Sequence, residues 1–397
     1  MILVEQAVDR IASAFRPVAS EPVAIERASG RVLAEDVVAS ASQPPDAVSA
    51  MDGYAVRSED TARPGTVLSV VGSAPAGHPF SGRINPGEAV RIFTGGVVPA
   101  GADAIVIQED TDTVPDGNVR LNVPTTRGRH IRDAGLDFKQ GETLLPAGRR
   151  LAARDLSLLA AADLSSVMVR RHPIVKFAAT GDELSRPGEP RKPGGIVASS
   201  GYALAALLTR WGAKPIDLGI VPDTLEAVAS IAAQARDADL VLTLGGASVG
   251  DHDLVQKALG PEGFALDFWK VAMRPGKPLI FGRLAETPLV GLPGNPVSTI
   301  VCALLFVRPA IAALLGTTIA LQTLPVRLAR ELAANDSRQD YIRASLSSRN
   351  GELWAEPFLV QDSSMLSLLS QADCLVVRAP GAPRAQAGET VEAVLLD

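Results

Sequence analysis

From Pro173 onward the chain alternates short apolar runs with longer amphipathic ones, and this alternation constrains the fold more than any other feature. Runs at 174–179, 214–221, 240–244, 266–271, 279–281 and 289–291 have the length of buried strands. Segments 200–211 and 225–235 carry helical spacing between them, and a long apolar helix follows Pro296. Strands and helices in that order predict a doubly wound, mainly parallel sheet covered on both faces. Ligands in such sheets sit beyond the carboxyl ends of the strands.

The polar motifs fall at those ends. After Leu240-Val241-Leu242 come Gly245, Gly246, Ser248 and Gly250, then Asp251 and Asp253 heading a helix that Gly260 closes. Residues without a Cβ let backbone N–H groups approach phosphate oxygens, and the helix turn aims its positive end at them. Such a loop serves backbone geometry alone in many α/β turns, so it needs company. The segment 268–278 supplies it, a strand feeding a loop with the cations Lys270, Arg274 and Lys277. Gly291-Leu292-Pro293-Gly294-Asn295-Pro296-Val297-Ser298 then opens the last helix, with Asn295 fitting the N-cap and Pro296 the first helical position. Two glycine turns and three cations point to a polyanionic ligand.

A chain of 397 residues divides into several domains, each able to bury a core. Its net charge of −6 offers no global attraction to nucleic acid or anionic membrane, so an anion must be held by local cations. Cys302 and Cys374 sit in apolar runs and read as buried thiols, and the four histidines have no metal-ligand spacing. The start is amphipathic and unlike a signal peptide, and the most apolar stretch, 297–315, is interrupted by Arg308 and Pro309. A cytoplasmic protein is expected.

Upstream, 4–15 has helical spacing, 23–25 and 31–34 look like strand and connector, and 152–161 reads as a helix. Short β-like runs between glycine and proline turns fill the region up to about residue 123, and further short strands follow Thr317-Thr318. The expected architecture is therefore α/β plus β: an elongated mixed domain (1–42 and 127–169), a β-rich insert (43–126), an α/β domain (170–316) and a small C-terminal β-barrel-like domain (317–397).

SAMDGYAV, IFTGG with PAGADA, GLDF, ATGDEL, GGASVG with DHD, FWKVAMRPGKP and GLPGNPVS stand in this order along the chain. Together they resemble the molybdopterin molybdenumtransferase family, MoeA and the gephyrin E domain, over nearly the whole length. The resemblance implies Mg²⁺-dependent insertion of molybdate into adenylylated molybdopterin with release of AMP. It places Asp52, Thr94, Asp137, Glu183, Asp223, Asp253, Lys270, Lys277, Pro293 and Pro296 on functional positions, with Arg343 and Ser363 as looser matches. Magnesium prefers carboxylate oxygens with waters and phosphates, which suits Asp253, Glu183 and Asp223. Lys277, Arg274, Ser298, Arg343 and Ser363 are donors suited to a tetrahedral dianion, and the 245–250 loop would hold the pterin phosphate. The resemblance also implies a homodimer whose site combines both chains, with Asp52 crossing the interface. A molybdopterin adenylyltransferase upstream and apo-molybdoenzymes downstream are the implied partners.

Each residue has a plainer reading. Asp52 fits a turn before Gly53, Asp223 equally fits a helix cap or a site carboxylate, and Glu183 a solvated loop acid. Trp269 reads as core and not as a stacking platform, and Lys270 and Arg274 as charges beside an edge strand. Arg274 stands where many relatives carry Lys, and Ala198-Ser199-Ser200 shortens polar side chains that the family commonly shows there. Two rival functions share these features, a molybdopterin adenylyltransferase and a non-catalytic molybdopterin-binding scaffold.

Overall fold

The structure, a computed structural model, describes residues 1–246, 252–318 and 321–396, with the side chains of 252–254 outside the description. Its central sheet runs, in spatial order, Lys214–Val221, Ile174–Thr180, Leu240–Leu244, Thr287–Leu292, Pro278–Leu284 and Phe264–Lys270. The first four strands are mutually parallel, and the last two are antiparallel. Only Ala285 and Glu286 join Leu284 to Thr287, too few residues for a parallel crossover, so the chain must fold back on itself there. Leu240–Leu244 is buried at every position, as a strand with helices on both faces requires.

The last helix is less regular than its sequence suggests. It runs as Pro296–Cys302, a wider π turn over Ala303–Val307, and Arg308–Leu314. Pro309 has no N–H to give the carbonyl four residues back and its ring crowds that turn, so the helix widens ahead of it. Pro296–Leu314 is long and apolar enough by length to cross a membrane, with mean hydropathy 2.1 over its 18-residue window. Arg308 and Pro309, which interrupt the apolar run in the sequence, widen the helix without ending it. Burial explains the apolarity, since 78% of that window lies inside the protein, with Phe306 and Ile311 fully covered. The helix Val4–Ser13 packs Val4, Ala7 and Ile11 into the same core.

Segments on either side of the β insert pair with each other. Ser20–Ala24 pairs with Ser166–Arg170, and Val37–Val38 with Thr143–Leu145. The segment 31–34, read as a connector, makes two isolated bridges, Val32 to Arg150 and Leu33 to Val169, and so lies between the 146–151 turn and the Ser166–Arg170 strand. Between these segments lies a six-stranded sheet that includes Gly53–Val56, Glu88–Ile92 and Ala104–Ile107. At the C-terminus Gln339–Arg349, Glu352–Pro357, Thr323–Leu328, Thr390–Leu395 and Cys374–Arg378 close into a five-stranded barrel. Met273–Arg274 adds alongside Gln339 and Asp340, fastening the barrel to the α/β region. Cys302 and Cys374 are both free and buried, and burial pushes the Cys374 thiol up to about 12, which leaves it unreactive.

Candidate functional site

At the carboxyl ends of the parallel strands lies a cavity of about 480 Å³. Its floor is two turns packed back to back. The Gly245 amide donates to the Leu292 carbonyl at 3.1 Å, and a Cβ on Gly294 would stand 3.4 Å from the Gly245 Cα. Gly245 and Gly246 have φ of 102° and 65°, and a Cβ on Gly245 would meet the Thr180 carbonyl oxygen at 2.8 Å. Gly245, Gly246, Pro293 and Gly294 thus line one wall. Of the residues assigned to this loop from sequence, Ser248, Gly250 and the Asp253 side chain lie outside the described residues.

Two carboxylates face the cavity, Glu183 and Asp223. Asp223 is not the helix cap. Thr224 takes that place, its Oγ1 accepting the Ala227 amide at 3.2 Å. Among the described residues no cluster of three or more His, Cys, Asp or Glu is placed to hold a metal. Two carboxylates and open space still suit Mg²⁺, which commonly takes one or two carboxylates with waters and substrate phosphates.

The cations separate into two kinds. Lys277 and Arg338 line the cavity; Arg338 has one ion pair, Nη2 to Asp336 at 3.1 Å. Sequence reasoning missed Arg338. Arg274 also lines the cavity, but its fork is filled, Nε and Nη2 donating to Asp340 at 2.6 and 2.8 Å and Nη2 to Asn335 at 2.9 Å. The parallel pairing of Met273–Arg274 with Gln339–Asp340 sets Asp340 directly beside it, so the expected open oxyanion fork is a clamp between α/β region and barrel. Hydrogen bonding to Asp340 raises the Arg274 pKa further, keeping it charged. Arg343 departs more sharply from expectation. It is 1% exposed, and its guanidinium donates to the Gln361 side chain and to the Asp362 and Met365 carbonyls. It shapes the loop that carries Ser363.

Lys270 is displaced as well. It pairs with Pro278 across the edge of the sheet, and its Nζ sits 3.4 Å from the Trp269 ring centroid, off the cavity wall. Trp269 packs on the core as expected, and its ring also carries this cation. At the last helix, Asn295 occupies the cap position but turns its side chain to Ser363, Nδ2 donating to Oγ at 2.8 Å. The Val297 amide donates to the Ser363 carbonyl at 3.1 Å, and Pro296 has no amide hydrogen, so this helix start offers fewer donors than expected. Ser298 and Ser363 both line the cavity.

The remaining expected residues lie elsewhere. Asp52, Thr94 and Asp137 do not line the cavity. Asp52 and Thr94 meet in the β insert, where Oδ1 of Asp52 accepts both the Thr94 amide, at 2.7 Å, and its Oγ1, at 2.8 Å. The Thr94 amide, then its hydroxyl, hold the Asp52 carboxyl below the usual carboxylate range. Asp137 is exposed, its amide bonded to the Gln43 carbonyl. Ala198 borders a separate slot of about 110 Å³ with Phe177, Tyr202 and Asp217.

Comparison with known proteins matches this architecture along the chain. Residues 2–162 match the MoeA N-terminal region (domain I and II), 176–313 a probable molybdopterin binding domain, and 325–396 the MoeA C-terminal region (domain IV). The molybdopterin molybdenumtransferase of Haemophilus influenzae is 35% identical over 94% of this chain and 93% of its own length. That of Bacillus subtilis is 33% identical over 100% and 94%. The crystal structure of a molybdopterin biosynthesis MoeA protein from Pyrococcus horikoshii superposes with a TM-score of 0.88 at 30% identity, covering 100% of this chain and 99% of that one. The chain therefore belongs to the molybdopterin molybdenumtransferase family, a family of transferases of molybdenum cofactor biosynthesis.

Proposed function

We propose that the cavity joins molybdate to adenylylated molybdopterin and releases AMP. The observation that carries this reading is the pairing in one cavity of two carboxylates, Glu183 and Asp223, with two ligand-facing cations, Lys277 and Arg338. A site for one anion needs only the cations. Acids beside them suit a second anion brought in through a hard cation, and Mg²⁺ would offset the repulsion between phosphate and molybdate. Glu183 and Asp223 would hold that ion, with Asp253 as a third ligand.

The glycine turns at 245–246 and 293–294 leave room for pterin phosphate against the backbone. Lys277, Arg338, Ser298 and Ser363 supply donors for the tetrahedral molybdate, from three separate loops and one helix. Arg274 and Arg343 act one step back, holding the loops that carry Lys277 and Ser363.

Asp52, Thr94 and Asp137 need a different account, because they lie off this cavity. We read them as the part of the site contributed by a second copy of the chain in a homodimer. A molybdopterin adenylyltransferase would supply the substrate, and apo-molybdoenzymes would take the product.

The test is AMP release from adenylylated molybdopterin, with and without molybdate and Mg²⁺. Release that requires both supports the reading. Adenylylation of molybdopterin would make the chain an adenylyltransferase, and tight binding with no turnover would make it a scaffold; either result contradicts the proposal.

A further inference from the structure

Arg91 sits at the centre of a closed hydrogen-bonded ring around Asp52. It pairs with Tyr54 across the Gly53–Val56 and Glu88–Ile92 strands, so its side chain leaves the sheet beside the turn that carries Asp52. Nη1 donates to the Gly53 carbonyl at 3.1 Å and Nη2 to Gln108 Oε1 at 2.7 Å. The Gln108 amide in turn donates to the Asp52 carbonyl at 3.0 Å. The guanidinium carbon lies 5.1 Å from the Tyr54 ring centroid and 4.9 Å from that of Phe93, the residue before Thr94. Arg91 thus contacts Gly53 and Gln108, which flank the Asp52 backbone, and Phe93, the neighbour of its side-chain partner Thr94.

The surroundings are built to keep that ring rigid. Gly53 lies between Ile92 and Ile107 on its two neighbouring strands, and a Cβ there would come within 2.0 Å of the Val106 carbonyl oxygen. Position 53 therefore admits only glycine, and the step after Asp52 is paired on both sides. Both Thr94 bonds fall on Oδ1 of Asp52, so Oδ2 has no donor among the described residues. A carboxylate held by one oxygen and presenting the other is arranged to act on something outside its own chain segment. Arg91 makes no ion pair with that carboxylate among the described residues; it is a planar fork that bonds Gly53 and Gln108 and touches two rings, a set of contacts Lys cannot all reproduce.

We propose that Arg91 is the positioning residue for Asp52, fixing the direction in which Oδ2 points. The inference rests on the reading that Asp52 belongs to the molybdate-insertion site. Misplacing a reacting group by about 1 Å costs up to ~100-fold in rate, so Arg91→Met should lower kcat roughly 10- to 100-fold. KM for adenylylated molybdopterin should stay within about twofold of the wild-type value, because the pterin cavity is elsewhere. Arg91→Lys, which keeps the charge, should recover part of the rate. Gln108→Ala, which removes one acceptor and leaves the cation, should give a smaller loss.

The decisive experiment is a double-mutant cycle with Asp52→Asn, read as AMP release, with thermal melting of each variant. If Arg91 acts through Asp52, Arg91→Met causes no further loss once Asp52→Asn is present. A loss of the same factor in both backgrounds overturns the inference and leaves Asp52 in its role. Wild-type turnover by Asp52→Asn alone overturns the reading of Asp52, and this inference with it. Should Arg91→Met fail to fold, the same cycle run with Arg91→Lys gives the answer.

Discussion

The cavity and the Asp52 corner solve the placing of charge in opposite ways. The cavity gathers residues from distant parts of the chain, from Thr180 and Glu183 to Ser363, and sets carboxylates and cations around one space. The corner uses three neighbouring strands, and fixes Asp52 through one oxygen, Oδ1, which takes both Thr94 donors. One is a receptacle lined by both signs of charge. The other is a single preset carboxylate that does not line it. Neither looks sufficient alone, and their difference is what supports a site divided between two copies of the chain.

Within the cavity region the same contrast separates Arg343 and Arg274 from Lys277. Arg343→Ala should have the largest effect, and on folding. Losing a buried guanidinium leaves the Gln361, Asp362 and Met365 oxygens without their donor, a cost of roughly 2–4 kcal/mol. Denaturant melts measure it; wild-type stability with a raised molybdate requirement would return Arg343 to the ligand-facing group. Lys277→Ala should spare stability and weaken molybdate use by roughly 1.5–3 kcal/mol, the usual range for a hydrogen bond to a charged group. A molybdate-dependence curve alongside pterin titration checks this, and an unchanged curve would make Lys277 a surface charge.

Arg274→Lys should be felt mainly as loosened docking of the barrel. Its bond to Asp340 is bidentate but the arginine is 43% exposed, so screening limits the loss to about 1 kcal/mol. A large rise in the molybdate requirement without a change in melting would contradict the clamp. The smallest effect concerns pH. The Thr94 bonds depress the Asp52 pKa, so Asp52 stays ionised as pH falls through the ordinary carboxylate range, and protonates only below it. Thr94→Val removes one of the two donors, so the acid limb of the activity profile should move to higher pH. An unmoved limb would show that another group sets it.

Much of this was legible in the sequence, for identifiable reasons. Strand and helix alternation marked the central sheet, and Gly245 and Gly246 marked the turn because both take positive φ and a Cβ on Gly245 would crowd the Thr180 carbonyl. What the sequence hid was long-range partnership. Arg274 reads as a free fork until Asp340, 66 residues on, is placed beside it. Arg343 reads as a ligand donor, yet it follows Tyr341 at a period of two, and both are buried on the strand face opposite Ile342 and Ala344 of the barrel core. Arg338, just ahead of that strand, has no periodic signal, and only the barrel's docking brings it to the cavity. Asp223 was ambiguous because Thr224 beside it is an equally good cap, and local preference cannot rank adjacent candidates.

The most direct test of the divided site mixes two variants that should each be inactive, Asp52→Ala and the double variant Glu183→Ala/Asp223→Ala, which strips the cavity of both carboxylates, after co-expression or subunit exchange. If each site takes its cavity from one chain and Asp52 from the other, each mixed dimer holds one intact site. Random pairing then restores about one quarter of wild-type AMP release, since roughly half the dimers are mixed and each has one working site of two. No recovery from well-folded mixed dimers, or full activity from a stable monomer, would contradict the account.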